Sequence, residues 1–246
     1  QINPEYAIAF NNLGIVYKDL DNIDKAEKNF LQSIKLNPNN SDPYNNLGII
    51  YNDENQTDKA KDFFYKSLKI NPKNLQTLNN LGNLYKNIGQ IEKAEKYFFK
   101  ALDVNSKFFE TYNNLMVMYE RTNLNDKLKE MINKTNEVFS SNNITKLFLG
   151  HYLFKIKKFS ESIECLNQIN FSENQLNRER LRCLILAKNY DKLSNANQAF
   201  NFFKKTNEIN LSQKKNDINK DHTLNIITKR IEFYNNENVS NWSLNY

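Results

Sequence analysis

Apolar and polar residues recur along the chain with a fixed long period. The tetrapeptide Asn-Asn-Leu-Gly begins at Asn11, Asn45 and Asn79, and each copy starts 34 residues after the previous one. An altered copy, Asn-Asn-Leu-Met, follows at the same step from Asn113. Within each period the apolar residues lie three and four positions apart, which is the spacing of an amphipathic helix. A period of this length predicts stacked helical hairpins rather than one closed globular core.

Each period is predicted to fold as a helix, a turn and a second helix. Two apolar stretches are separated by a polar break, such as the one at Asp21 and Asn22. The second helix should end before Pro38, because the residue before a proline is pushed out of helical geometry. We expect the small residues Gly14 and Ala26 to lie on facing helices, which can approach closely only if nothing large lies between them.

The order of residues within a period has a known counterpart. The first period contains, in order, Phe10, Leu13, Gly14, Tyr17, Ala26, Phe30 and Pro38. This order resembles the tetratricopeptide repeat, whose signature is Trp-x2-Leu-Gly-x2-Tyr, then Ala-x3-Phe, then Pro. The resemblance is strong over residues 7–108, weaker over 109–142 and recognisable over 143–172, and a sixth hairpin is plausible at 175–211.

The resemblance implies an all-α fold and an order of segments. It implies a right-handed solenoid of antiparallel helix hairpins, with about five to six repeats and a C-terminal helix at about 217–237. We expect regular repeats over 1–142, divergent hairpins over 143–211, and a capping or linker helix with a tail over 212–246.

Composition and charge exclude several classes of function. No apolar stretch approaches the length of a membrane span, so we expect no membrane partner. The net charge of +6 comes mostly from lysines with acidic neighbours, which favours solvated helix faces over a nucleic-acid-binding stripe. No signal peptide is visible, and we expect a cytoplasmic protein. Because the chain begins with Gln1 and with what resembles the end of an earlier repeat, we interpret it as a fragment.

The chain contains no recognisable catalytic or cofactor motif. There is no phosphate-binding loop, and the five glycines are isolated. His151 and His222 lack a surrounding set of ligands, and Cys165 and Cys183 are expected to be buried, reduced thiols. We therefore expect no catalytic residue, no cofactor, no metal site and no enzymatic activity in this chain itself.

Two columns of asparagine are the strongest candidate site. The chain holds 45 asparagines, so a single one means little, but these two columns are periodic. One column contains Asn11, Asn45, Asn79 and Asn113; the other contains Asn12, Asn46, Asn80 and Asn114. A carboxamide offers a donor and an acceptor, which matches an extended peptide backbone. We therefore expect both columns to bind a peptide or protein partner in the concave groove of the solenoid.

The arrangement resembles the asparagine ladder of the O-linked N-acetylglucosamine transferase superhelix. By that resemblance the column of Asn12 is the better candidate for holding a peptide backbone. The alternative is that the asparagines cap helices, connect neighbouring helices, or have no specific role.

The C-terminal third suggests a second hypothesis. Its motif consists of Leu186, Ala187, Tyr190 and Asp191, then Ala199, Phe200, Phe203 and Asn207, then a helix ending near Arg230 and Ile231. The motif resembles the segment before the catalytic domain in bacterial repeat-linked sulfotransferases. That resemblance implies a substrate-recruiting part of a larger transferase, whose phosphosulfate-binding loop would follow Tyr246.

Overall fold

The computed structural model describes residues 4–140 and 142–214, and all regular structure in these ranges is helical. The described residues divide into two compact units, the first ending at Leu124 and the second beginning at Asn125. This division falls inside the segment 1–142 that the sequence suggested as regular. The helix predicted at about 217–237, the segment from 215 onward and His222 lie outside the described residues.

The first unit contains seven helices. They are α1 (Pro4–Asp19), α2 (Ile23–Leu36), α3 (Asp42–Asp53), α4 (Thr57–Ile70), α5 (Leu75–Asn87), α6 (Ile91–Val104) and α7 (Phe109–Arg121). The pairs α1–α2, α3–α4 and α5–α6 form the three regular hairpins. Each second helix then contacts the first helix of the next hairpin, so that the hairpins stack.

The described residues of the second unit form five α-helices and a short 3-10 turn at Glu173–Gln175. The helices are α8 (Asn125–Val138), α9 (Asn143–Lys155), α10 (Phe159–Asn167), α11 (Leu176–Lys192) and α12 (Ala196–Lys214). α9 pairs with α10, and α11 pairs with α12. The prediction of an all-α fold of antiparallel hairpins is confirmed. None of the described helices has the length and apolar character that crossing a lipid bilayer requires.

A glycine on each first helix admits an aromatic ring from its own hairpin. A Cβ atom at Gly82 would lie 2.6 Å from Cδ1 of Phe98, too close for real atoms. The equivalent pairs in the first two hairpins are Gly14 with Phe30 and Gly48 with Phe64. A large side chain therefore lies against Gly14, contrary to our expectation that nothing large would lie between the two helices.

The turns inside the hairpins keep the same step as far as Lys157, whereas the turn before α12, at Ser194, falls outside it. The central residue of each turn that keeps the step has positive φ, and the positions are Asp21 (58°), Asn55 (60°), Gly89 (75°), Asn123 (56°) and Lys157 (63°). These residues are 34 positions apart, so the period continues into the second unit. Only glycine adopts this left-handed conformation without steric cost, so the other four residues store some strain.

Stacking determines how well each first helix is buried. Leu13 on α1 is 41% exposed, whereas Leu47, Leu81 and Leu115 at the same step are 0% exposed. α3, α5 and α7 each contact the second helix of a preceding hairpin. Packing against the preceding hairpin therefore completes the burial of a first helix, in addition to the packing inside its own hairpin.

Candidate functional site

The first helices of the first unit form a continuous row. α1 contacts α3, α3 contacts α5, and α5 contacts α7. The second helices of this unit's described hairpins make no comparable contacts with one another. The row brings equivalent positions of successive repeats next to each other, and both asparagine columns lie on it.

The two columns differ in burial. The inner asparagines are Asn11, Asn45, Asn79 and Asn113, and the outer asparagines are Asn12, Asn46, Asn80 and Asn114. Asn11, Asn45 and Asn79 are buried, with exposed fractions of 8%, 7% and 1%, and Asn113 is half-buried. Asn12 is exposed, and the other outer asparagines are half-buried. One turn of helix thus presents one amide to the interior and its neighbour to the surface.

The outer asparagine of each repeat donates a hydrogen bond to the inner asparagine of the repeat before it. The bonds run from Nδ2 of Asn46 to Oδ1 of Asn11 (3.0 Å), from Asn80 to Asn45 (3.0 Å) and from Asn114 to Asn79 (3.2 Å). Each bond joins residues 35 positions apart. The columns therefore connect consecutive hairpins to each other through their side chains.

Threonine hydroxyls complete the buried part of this network. Oγ1 of Thr77 donates to Oδ1 of Asn45 (3.1 Å), and Oγ1 of Thr111 donates to Oδ1 of Asn79 (3.0 Å). The Nδ2 group of Asn79 donates to Glu110 (3.1 Å). Because a buried carbonyl without a partner costs free energy, this pairing explains how an amide can lie between the hairpins.

The outer asparagines keep part of their hydrogen-bonding capacity. Asn46, Asn80 and Asn114 each use one N–H group for the bond to the preceding repeat. No described residue donates to their Oδ1 atoms, and Asn12 makes no side-chain hydrogen bond within the described residues. Each outer asparagine therefore retains an acceptor oxygen and at least one N–H group for a ligand.

The structure distinguishes two asparagine columns for which we predicted the same role. Both columns were predicted to contact a peptide, but the carbonyl oxygens of Asn45 and Asn79 are buried and already accept two hydrogen bonds each. These two residues connect neighbouring helices, which was the alternative interpretation of the columns. Contact of any of the eight asparagines with a peptide stays a prediction.

Another periodic asparagine column has a local role that we did not predict from the sequence. Oδ1 of Asn37, Asn71 and Asn105 accepts a hydrogen bond from the backbone N–H two residues later. Each residue follows the last residue of a second helix and shapes the connection to the next hairpin. The same step of 34 residues could have revealed this column.

No catalytic or metal-binding arrangement is evident in the part of the chain that the structure describes. No group of three or more His, Cys, Asp or Glu side chains could hold a metal ion there. Cys165 and Cys183 are free thiols. Burial raises the pKa of both thiols, and that of Cys183 rises to about 11 with a further contribution from Glu179. Such thiols are protonated near neutral pH and are poor nucleophiles.

Comparison with known families agrees with this architecture. A family model for the tetratricopeptide repeat matches residues 7–40 and 76–108, and a second such model matches residues 29–62. Residues 7–62 and 76–108 contain tetratricopeptide repeats. Tetratricopeptide repeats are typically protein-interaction scaffolds and generally carry no catalytic residues. A comparison with curated protein sequences finds no match.

Solved tetratricopeptide-repeat structures share the fold at low sequence identity. PilF of Pseudomonas aeruginosa is 15% identical, with a TM-score of 0.69 over 95% of this chain and 98% of that one. A tetratricopeptide repeat protein from Parabacteroides merdae is 17% identical, with a TM-score of 0.61 over 95% and 86% of the two chains.

YrrB, a tetratricopeptide-repeat protein described as having an unusual peptide-binding site, is 16% identical. Its TM-score is 0.55 over 82% of this chain and 97% of YrrB. At these identities the likeness shows the fold alone. Nothing in the comparisons supports the resemblance to the sulfotransferase segment.

Proposed function

We propose that the first unit is a scaffold that holds an extended peptide, or an extended segment of a protein partner, along its row of first helices. The outer asparagines Asn12, Asn46, Asn80 and Asn114 contact the backbone of the bound chain. The inner asparagines Asn11, Asn45 and Asn79 hold Asn46, Asn80 and Asn114 in place. The observation that carries this proposal is the set of cross-repeat bonds, which fixes outer amides in register and leaves an acceptor on each.

The spacing of the row suits an extended chain. Packed helices lie roughly 8–10 Å apart, and three extended residues span about 10 Å. One outer asparagine can therefore meet about every third residue of a peptide. The first helices approach one another while the second helices do not, which supports a groove on the side of the first helices.

The expected affinity is modest. Each hydrogen bond contributes about 0.5–1.5 kcal/mol, so four asparagines with one or two bonds each contribute a few kcal/mol before the peptide is ordered. The cross-repeat bond reduces the cost on the protein side, because the outer amide is already fixed in one orientation. Such contacts recognise the backbone and discriminate little between sequences.

Local ion pairs argue against a nucleic-acid partner. Lys61 lies 3.1 Å from Asp58, and Lys66 lies 2.6 Å from Asp62. Lysines that are paired with acids one turn away on the same helix do not form a stripe of one sign. We therefore propose a peptide or protein partner in the cytoplasm, and neither a nucleic acid nor a membrane. Recruitment of substrates to a sulfotransferase domain stays a prediction, which the reading frame beyond Tyr246 would test.

The proposal can be tested with an array of peptides of varied sequence. Asn12→Ala removes an exposed amide that has no bond in the described residues, so we expect weaker binding without loss of stability. Asn46→Ala/Asn80→Ala should weaken binding further, but it also removes two cross-repeat bonds. Asn29→Ala on α2 is the matched control, since it removes an amide from a second helix. Binding by Asn12→Ala and the double variant at the wild-type level would exclude a role of the outer asparagines.

A further inference from the structure

Two cationic side chains line a cavity on the same row of helices. The cavity has a volume of about 300 Å³, and its lining includes Lys86 and Arg121 together with Ile91, Met118 and Thr122. Lys86 lies in the last turn of α5, and Arg121 is the last residue of α7. The cavity therefore combines a buried apolar floor at Met118, which is 1% exposed, with two positive charges.

The register relates this cavity to the asparagine network. Lys86 comes seven residues after Asn79, and Arg121 comes seven residues after Asn114. Asn79 and Asn114 are hydrogen-bonded across the third and fourth repeats. Seven residues are two helical turns, or about 10 Å along each helix. The cations thus occupy the same faces of α5 and α7 as the amides, beside the proposed path of a peptide.

The pair of charges is unusual among equivalent positions of the repeats. One and two steps earlier, the equivalent pairs are Asn52 with Asn87 and Lys18 with Asp53. Of these three pairs, only Lys86 with Arg121 combines two like charges. In the described part of the chain neither Lys86 nor Arg121 forms an ion pair, and Nζ of Lys86 donates to the neutral Oδ1 of Asn83 (2.6 Å).

The surroundings of Lys86 favour an anion. Burial lowers the pKa of Lys86, and the nearby charge of Arg121 lowers it further. No carboxylate of the described residues offsets either effect. A carboxylate in the cavity would oppose both effects on the pKa of Lys86. It would replace the hydration that burial removes, and it would neutralise the repulsion between the two cations. A guanidinium and an ammonium together also match the geometry of a carboxylate.

We propose that Lys86 and Arg121 form a subsite for a carboxylate of the bound peptide, supplied by an internal aspartate or glutamate. This inference rests on the proposed function, because the peptide reaches the subsite from the outer asparagines. The asparagines hold the backbone of any sequence, and the subsite selects chains with an acidic residue at one position. The preferred partner is therefore an extended acidic segment.

The test compares matched peptides on wild-type protein and variants. Peptides with a single glutamate should bind wild type about tenfold more tightly than the same peptides with glutamine, as expected for a charge-assisted contact. This preference should disappear in Lys86→Gln/Arg121→Gln. It should persist in Lys18→Gln, which removes a cation at the equivalent position of the first repeat. An unchanged preference in the double variant would overturn the assignment.

Two further measurements separate the possible failures. Amidated and free-acid peptides distinguish an internal acid from a chain end, and a preference that depends only on the free C-terminus would contradict our assignment. If the wild-type protein bound no peptide, the proposed function would fail while the subsite could still be tested. Succinate should then shift the Arg121 Nε signal in NMR spectra of wild type but not of Lys86→Gln. Equal or absent shifts in the two proteins would exclude a carboxylate site.

Discussion

The regular hairpins of the first unit and the α9–α10 hairpin of the second unit share one feature and differ in another. Both bring their helices close at a glycine, since a Cβ at Gly150 would lie 2.5 Å from Leu166 just as one at Gly82 would meet Phe98. The asparagine columns, however, are absent from α9. Leu147 and Phe148 stand at the positions of an inner and an outer asparagine.

The difference shows that closing a hairpin and connecting hairpins are separate tasks. Leu147 is 5% exposed and belongs to an apolar cluster that includes Leu166 and Leu186. The same position in the first unit holds a buried amide with three polar partners, as at Asn79. A leucine or an asparagine can fill this position, but only an asparagine pair leaves hydrogen-bonding groups on the adjacent surface. The candidate site is therefore confined to the repeats that carry asparagine pairs.

The largest effect should follow from placing an asparagine at position 147, inside the apolar cluster. We predict that Leu147→Asn destabilises the second unit by about 4 kcal/mol, because it removes a buried leucine and leaves a buried amide without partners. Urea unfolding followed by circular dichroism measures this loss. Phe148→Asn at the adjacent half-buried position is the control and should cost much less. Similar costs for the two variants would show that position 147 is not a special packing position.

The reciprocal change should also destabilise, although less. Asn79→Leu leaves the Thr111 hydroxyl and the Asn114 amide without their acceptor, and we expect a loss of about 2 kcal/mol in the free energy of unfolding. The triple variant Asn79→Leu/Thr111→Val/Asn114→Leu removes the orphaned groups and should recover most of that loss. A triple variant less stable than Asn79→Leu would contradict the role assigned to the network.

Acid should affect the two units differently. In the second unit Glu179 accepts hydrogen bonds from Arg182 of the same helix, α11 (2.7 Å), and from Lys205 of α12 (2.8 Å), and the second bond ties α11 to α12. Burial raises the pKa of Glu179, but these two cations outweigh burial and lower its pKa from 4.5 to about 2. A depressed pKa contributes stability above the unfolded value, and this contribution is lost as the pH falls from about 4.5 towards 2.

Because Lys205 is half exposed, we expect this loss to be about 1–2 kcal/mol. Hydrogen exchange of the backbone amides of α11 and α12, measured between pH 5 and pH 3, reports this loss of stability. Glu179→Gln should remove the dependence on pH in this range. The amide-to-amide bonds of the first unit contain no group that titrates there and should persist. A dependence on pH that survives Glu179→Gln would show that other carboxyl groups cause it.

The smallest expected effect concerns the turns. Gly89 and Lys157 occupy the same left-handed turn position in the third and fifth hairpins. Lys157→Gly should stabilise the second unit by about 1 kcal/mol, because it relieves the left-handed strain of a residue with a Cβ atom. Gly89→Lys should destabilise the first unit by a similar amount. Thermal unfolding of both variants measures the two changes in stability. Changes of the same sign would contradict the prediction.

Much of the fold could be predicted from the sequence because the period fixes it. A step of 34 residues determines where each hairpin turns, and the left-handed residues keep that step as far as Lys157. The side chain that meets the glycine could not be predicted in this way. That the Phe30 ring meets Gly14 depends on the rotation of one helix against the other, which spacing alone does not determine.

The residues of the candidate site could be named from the sequence, but their burial and their hydrogen bonds could not. The periodicity identified both asparagine columns, yet adjacent residues on a helix point about 100° apart, so the two members of a pair need not be equally buried. Which one is buried depends on the crossing of α1, α3, α5 and α7. The bonds between residues 35 positions apart, such as Asn46 and Asn11, likewise require the stacking distance between hairpins. The paired cations at Lys86 and Arg121 follow the same offset.

The side-chain amide signals of the asparagines, recorded by NMR with and without a bound array peptide, test the central claim most directly. We predict that the signals of Asn46, Asn80 and Asn114 shift on binding, because these amides gain a ligand while keeping their cross-repeat bonds. The signals of Asn11, Asn45 and Asn79 should move far less. A bound peptide that leaves all outer asparagine signals in place, while perturbing the second helices, would contradict the account.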